Sequence, residues 1–364
     1  MNKTVFVLAV TIIGFLGGPG TPLSQDSAKS DRLLPFLDTM DYWGFMDSGG
    51  KIVIAALYDS VRPFSEGIAL VWKGGYPGYI DRGETFLWSP PDSLDLSEEE
   101  LTELEVDLGD FHEGLARVRT KDRFGFIGKT GKYAIKPQFL SAGDFSDGLA
   151  WAETADGFGF IRKDGTFAVK AQYEGAGSFH GGLAPVLLGE KWGYIDPSGK
   201  VVIKTQFDKT GGFSEGLAGF GLANPGEKRG TGVLDITRWK YNFPGKCGYI
   251  DITGKILIDA QFGEVGLFSE GLAAVRTGKL WGYIDKTGTF LIDPQFDLAA
   301  PFSEGLAAVH KGGKWGYIDK EGRTTISPQF DQAGDFADGL AMVWLGEKMG
   351  YILKTGKFFW GPSK

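Results

Sequence analysis

One motif returns at a fixed interval along this chain: a glycine followed by an aromatic residue, at Gly44, Gly78, Gly125, Gly159, Gly193, Gly248, Gly282, Gly316 and Gly350. Six of the eight intervals are 34 residues, and the other two are 47 and 55, so 13 residues are added between Gly78 and Gly125 and 21 between Gly193 and Gly248. A second marker of the form Phe-Ser-Glu-Gly-Leu-Ala keeps the same beat at Gly67, Gly114, Gly148, Gly182, Gly216, Gly271, Gly305 and Gly339. A period of this length is the mark of stacked supersecondary units whose core is shared between neighbours. An ordinary single-core enzyme domain does not produce it.

Within one unit, taking 271–302 as reference, Leu272–Val275 reads as a first strand, Thr277-Gly278-Lys279 as a turn, Leu280–Asp285 as a second strand, Lys286-Thr287-Gly288 as a turn and Thr289–Ile292 as a third strand. Each unit is thus predicted to be a three-stranded antiparallel meander. Asp at the end of the second strand with Gly three residues on recurs at Asp196/Gly199, Asp251/Gly254, Asp285/Gly288 and Asp319/Gly322; such turns lack the closely spaced oxygen ligands of a calcium loop. The segments 137–139, 171–173, 205–207, 260–262, 294–296 and 328–330 follow, of the type Pro-Gln-Phe, where proline is expected to end ladder pairing. Their aromatic residue and the recurring Phe64, Phe111, Phe145, Phe179, Phe213, Phe268, Phe302 and Phe336 supply two core anchors per unit.

The slot before the repeated glycine holds Trp43, Trp192, Trp281 and Trp315, but also Pro77, Phe124, Phe158, Cys247 and Met349. The glycine is invariant among the units, so it is read as the geometric requirement, marking a close backbone approach, and the tryptophan as a replaceable core filler. Cys247, the single cysteine, excludes an intrachain disulfide and reads as a small apolar filler of that slot.

Taken together, Glu-Gly-Leu-Ala-x-Val, Lys-Trp-Gly-Tyr-Ile-Asp and Pro-Gln-Phe-Asp, as they stand at Glu304–Val309, Lys314–Asp319 and Pro328–Asp331, closely resemble the bacterial WG-repeat family. The resemblance runs from about Leu33 to Lys364 and implies β-rich repeats, often in exported bacterial proteins, without catalytic residues to carry over. The expected architecture is all-β, a tandem array of about nine 34-residue units in an open, twisted solenoid-like form. A closed β-propeller-like ring is the alternative, because closure removes exposed edges.

Composition bounds the rest. The 57 glycines and 14% aromatic content suit short strands and tight turns, and 42% hydrophobic content excludes wholesale disorder. A formal net charge of -8 and the lack of a basic run argue against nucleic acid as partner. Residues 1–24 read as a signal peptide, with Lys3 before the apolar run 5–16 and a break at Gly17–Gly20; an uncleaved anchor is the competing reading. Residues 25–32 then form a linker to the array at 33–364, and no transmembrane segment is expected in the mature chain, which would be exported to the periplasm, cell surface or medium.

Function is expected where the repeat count fails. The first insertion, 88–108, carries a capping box at Ser97–Glu100 and a short apolar side at Leu94, Leu96, Leu101 and Leu104, read as a helix that caps the sheet or meets a partner. The second, 220–246, brings Lys228, Arg229, Arg238, Trp239, Lys240 and Tyr241 into an acidic protein, a composition suited to a protein or glycan partner. No catalytic or metal-ligating constellation and no cofactor motif stands out. His112 and His180 share one repeat slot, His310 is isolated, and the carboxylates Glu66, Glu113, Asp147, Glu215, Glu270, Glu304 and Asp338 keep repeat phase beside glycine, where turn hydrogen bonds are the simplest role. The sequence therefore points to a non-enzymatic binding scaffold. A carbohydrate-active enzyme using paired groove carboxylates and a purely structural envelope component remain as alternatives.

Overall fold

The computed structural model describes residues 32–89, 108–120, 122–224 and 245–361, and all regular structure within them is β. The strands form nine small antiparallel sheets, eight of four strands and one, at residues 34–58, of three. We number these sheets as blades 1 to 9, covering 34–58, 60–88, 111–139, 141–173, 175–207, 209–262, 264–296, 298–330 and 332–360. Strands within a blade are called a to d in chain order; blade 1 has b, c and d.

The three expected strands are b, c and d. Sequence reading missed strand a, which is only two residues long in six blades, as at Ser141–Ala142, and six long at Lys209–Ser214 and Leu298–Ser303. Two residues carry no periodicity to detect. The Pro-Gln-Phe segment is a second correction: it does not end pairing but lies inside strand d, as in Phe290–Phe296. Trp281 pairs with Phe296 and Tyr283 with Ile292, so three residues of strand d bulge opposite the single Gly282. Proline is tolerated at the bulge apex of an edge strand because no ladder partner needs its missing N–H, and it discourages pairing with foreign strands.

That bulge explains the invariant glycine. A Cβ on Gly193 would lie 2.5 Å from the Ile203 carbonyl oxygen and 2.6 Å from the Thr205 nitrogen, and one on Gly316 would lie 2.5 Å from Ile326 O and 2.6 Å from Pro328 N. The flanking residues of strand c point to opposite faces, and both faces are covered: the aromatic after each glycine, such as Tyr194, and the next residue, such as Ile195, are buried.

The core lies between blades rather than within them. Phe126, Ile135 and Phe139 of blade 3 pack with Ala142, Phe145, Ala150 and Ile161 of blade 4, and the same grouping recurs along the chain. It also joins the two ends of the array. Leu34, Phe36 and Met46 of blade 1 pack with Met342, Met349 and Tyr351 of blade 9, with Phe36 edge-on to Trp360 at 5.7 Å. The ring is closed. The open solenoid-like array expected above is therefore corrected to its alternative, a nine-bladed β-propeller; with wedge-shaped units, closure also covers the apolar sides that the first and last units of an open array would expose.

Antiparallel succession fixes which connections share a face. The a–b and c–d turns open on one face of the ring, the b–c turns and the d-to-a links on the other. Both insertions leave from the second face. The first interrupts the link from blade 2 to blade 3, between a buried Trp88 and a buried Leu108. The second opens from the b–c hairpin of blade 6, whose pairing continues to Ala223 opposite Gly245.

Candidate functional site

On the first face the ring is stitched by a repeated junction. The phase-locked acids occupy the left-handed region, with φ of 51° to 54° for Glu66, Glu113, Asp147, Glu215, Glu270, Glu304 and Asp338. That conformation is unfavourable for residues with a Cβ, and here it aims the carboxylate at the next blade. Glu270 accepts the N–H of Gly305 at 3.0 Å and Glu113 that of Gly148 at 3.1 Å. The expected turn hydrogen bonds are therefore real but run between units. At five junctions a lysine from the next blade's c–d turn completes the contact: Lys129 on Glu66, Lys163 on Glu113, Lys286 on Glu215, Lys320 on Glu270 and Lys354 on Glu304, all at 3.0–3.1 Å. The Lys320 ammonium also donates to the Glu270 carbonyl, as Lys354 does to Glu304.

Two further bonds repeat. The serine before the acid donates to the next blade's phenylalanine carbonyl, as Ser269 to Phe302 and Ser303 to Phe336, both at 2.7 Å. The strand c tyrosine donates across the same junction: Tyr249 to Gly266 O and Tyr283 to Ala300 O at 2.7 Å, Tyr317 to Gly334 O at 2.8 Å. Burial raises the pKa of these phenols, keeping them neutral donors. Ring closure uses the same device, since Tyr351 donates to Pro35 O at 3.0 Å, while Arg32, assigned above to the linker, pairs with Asp338 at 2.7 Å.

The c–d turns are as expected. Asp285 Oδ1 accepts from the Thr287 and Thr289 backbone N–H groups at 2.8 and 3.0 Å and from the Thr287 hydroxyl, which holds its pKa down, and Gly288 sits at φ 85°. These oxygens serve their own turns.

The residues singled out for partner binding, Lys228, Arg229, Arg238, Trp239, Lys240 and Tyr241, lie outside the described residues, as does the capping box at Ser97–Glu100. What the structure adds is the ground beneath the second insertion. Cys247 is fully buried and burial pushes its thiol up to about 12, which fits a core filler rather than a reactive thiol. Around it are the buried Lys209 and Glu264, the latter bonded to Arg276 at 2.7 Å, with Glu264 Oε2 left without a hydrogen bond among the described residues. The pKa of Lys209 is lowered by burial. Sequence reading missed this polar cluster because its members come from different strands of two blades, Lys209 and Glu264 from strands a and Arg276 from a strand b.

The histidines are spread over blades 3, 5 and 8 and do not converge; His310 instead packs edge-on to Trp315 at 5.4 Å. One acid departs from the rest. Asp335, just before the Phe336 anchor, has no hydrogen-bond partner among the described residues, and burial pushes its carboxyl up to about 7. Asp110 occupies the equivalent slot in blade 3; burial raises its pKa too, although Arg62 stands 3.7 Å away. Among the described residues no three metal-ligating side chains gather, and no helix is long and apolar enough to cross a membrane.

Fold and junctions define a nine-bladed β-propeller assembled from one repeated, self-stitching unit. The sequence profile described as WG containing repeat matches residues 43–76, 124–156, 158–192, 192–222, 248–281, 281–315 and 315–348, well over half of the chain, and the protein belongs to this WG-repeat family. No curated protein matches the chain by sequence. Among solved structures, the crystal structure of a eukaryotic initiation factor is similar over 90% of this chain and 95% of its own, at 10% identity and a TM-score of 0.59, a likeness of fold alone. The dihydro-heme d1 dehydrogenase NirN (10% identity, 78% of this chain, 70% of its own, TM-score 0.44) and the tricorn protease (11%, 89%, 41%, 0.40) are more distant and carry no argument.

Proposed function

We propose that the protein is an exported, non-enzymatic scaffold that binds a protein or glycan through the face bearing its two insertions, with Lys228, Arg229, Arg238, Trp239, Lys240 and Tyr241 as the contact residues. The observation that carries this reading is the division of labour between faces. The a–b and c–d turns are taken up with inter-blade bonds, whereas both departures from the repeat leave from the opposite face. A closed ring presenting added loops on one side is suited to recognition.

The test is capture of partners from envelope and medium fractions, and binding on a glycan panel, by the mature chain and by a variant in which residues 225–244 are replaced by a two-residue Gly-containing turn. That replacement leaves the Ala223–Gly245 pair intact. Partners lost with the loop support the reading; partners unchanged remove the loop from it. A glycosidase using Asp335 as general acid is the second reading, favoured by its carboxyl pushed up to about 7. It predicts glycan hydrolysis that Asp335→Asn abolishes.

A further inference from the structure

The acid and lysine slots of the junction vary together. Glu stands wherever the next blade offers Lys, in the five pairs given above; the three remaining pairs among the described residues are Asp147 with Pro197, Gly181 with Ile252 and Asp338 with Ser48. These fall between blades 4 and 5, 5 and 6, and 9 and 1. The 4/5 junction keeps its backbone bonds, with Gly182 N–H on Asp147 at 3.0 Å and Ser146 on Phe179 O at 2.6 Å. The 5/6 junction keeps the tyrosine bond, Tyr194 to Gly211 O at 2.7 Å, but has none of the acid, lysine and serine bonds: His180 replaces the serine, Gly181, at φ 63°, the acid, and the exposed Ile252 the lysine. The 9/1 junction has Ala337 for serine and Ser48 for lysine, and Asp338 is held by Arg32 instead.

Position gives the pattern its meaning. Blades 9 and 1 are not consecutive in the chain, so among the described residues side-chain contacts and packing are what close that seam. A closed ring that opens at one seam must bend elsewhere, and the least strained place is the far side. In a nine-membered ring the 9/1 seam faces blade 5, whose two junctions are the other ones without a lysine bond among the eight whose acid and lysine slots are both described. We infer that the ring is a clamp: it parts at the 9/1 seam and hinges at blade 5, chiefly at the 5/6 junction, while blades 2 to 4 and 6 to 9 move as two stitched arcs.

Hydrogen exchange on the full chain, read by mass spectrometry, tests this. Amides around 180–183 and 214–217 should exchange about tenfold faster than the equivalent amides at 269–272 and 303–306, and those of 34–37 at the seam about tenfold faster than the equivalent 273–276, as expected of low-stability openings. The triple variant H180S/G181E/I252K builds the regular junction at 5/6; Glu is compatible there because its counterparts hold similar positive φ. It should slow exchange about tenfold at 5/6 and also at 9/1, because hinge and break are one motion. The reciprocal variant S48K/D338E should slow both as well. Uniform exchange across all junctions, or slowing confined to the junction that was altered, overturns the clamp. Removing a junction inside an arc with E270G/K320I should speed exchange near 305 and leave 9/1 unchanged; acceleration at 9/1 would overturn the assignment of the hinge.

Discussion

Blades 5 and 6 build the same strand c with different residues. In blade 5, Trp192 is buried and its ring edge lies 3.3 Å from where a Cβ on Gly175 would stand. In blade 6 the tryptophan slot holds Cys247 and the Gly175 slot holds Lys209, both buried. The large side chain has moved from strand c to strand a. What the two blades share is the next residue, Gly193 or Gly248, under a three-residue bulge whose carbonyl oxygen leaves no room for a Cβ. The repeat therefore conserves a backbone crossing and lets neighbouring slots exchange volume.

The largest effect should come from breaking what the blades share. Gly193→Ala and Gly248→Ala must each push the facing bulge away, and each is expected to cost about 3 kcal/mol, at the upper end of overpacking changes. Denaturant midpoints check this; equal losses in the two blades sharpen the comparison, and a neutral Gly248→Ala would break it. Next comes the exchange of volume. Cys247→Trp should cost about 2 kcal/mol through its clash with Lys209, and Lys209→Gly in the same chain should restore at least about 1 kcal/mol of it. Additive effects in that double-mutant cycle would separate the two slots.

How much of this was legible in the sequence follows from the same contrast. The period, strands b to d, the turn aspartates and the core role of Cys247 could be read because each rests on a local pattern. Strand a could not, being two residues long in most blades, and neither could closure, which depends on Leu34, Phe36 and Pro35 meeting Met349 and Tyr351 over 300 residues away. The bulge hid because proline was read as ending the strand rather than marking its apex. One signal was present and unused: the pairing of Glu with Lys in corresponding slots, which already pointed to contacts between successive units.

Asp335 gives the next smaller effect and sets one blade against its neighbours in another way. Its folded pKa, about 7, lies above the usual carboxylate value, so the folded chain holds the proton more tightly than the unfolded one. Its contribution to stability is therefore full at acid pH and lost as pH rises through the interval from about 4 to 7. Asp335→Asn should raise stability at pH 8 by about 1 kcal/mol, discounted for partial solvation, and change little at pH 4. A loss at pH 8 would mean that the ionised carboxylate is itself bonded in the folded ring.

The smallest effect concerns the stitched face. Lys320→Met removes an exposed ammonium from Glu270 but leaves the carboxylate on the Gly305 N–H. Surface ion pairs contribute little, so about 0.5 kcal/mol is expected, shrinking further in high salt. Glu270→Gly removes the backbone bond as well and should cost more, although glycine is freer at this positive φ. If the two variants proved equal, the lysine rather than the backbone bond would be holding the junction. Blade 5 would then differ from the stitched arcs by the lost ammonium alone, and the 4/5 junction, with Pro197 in the lysine slot, would be as weak as 5/6.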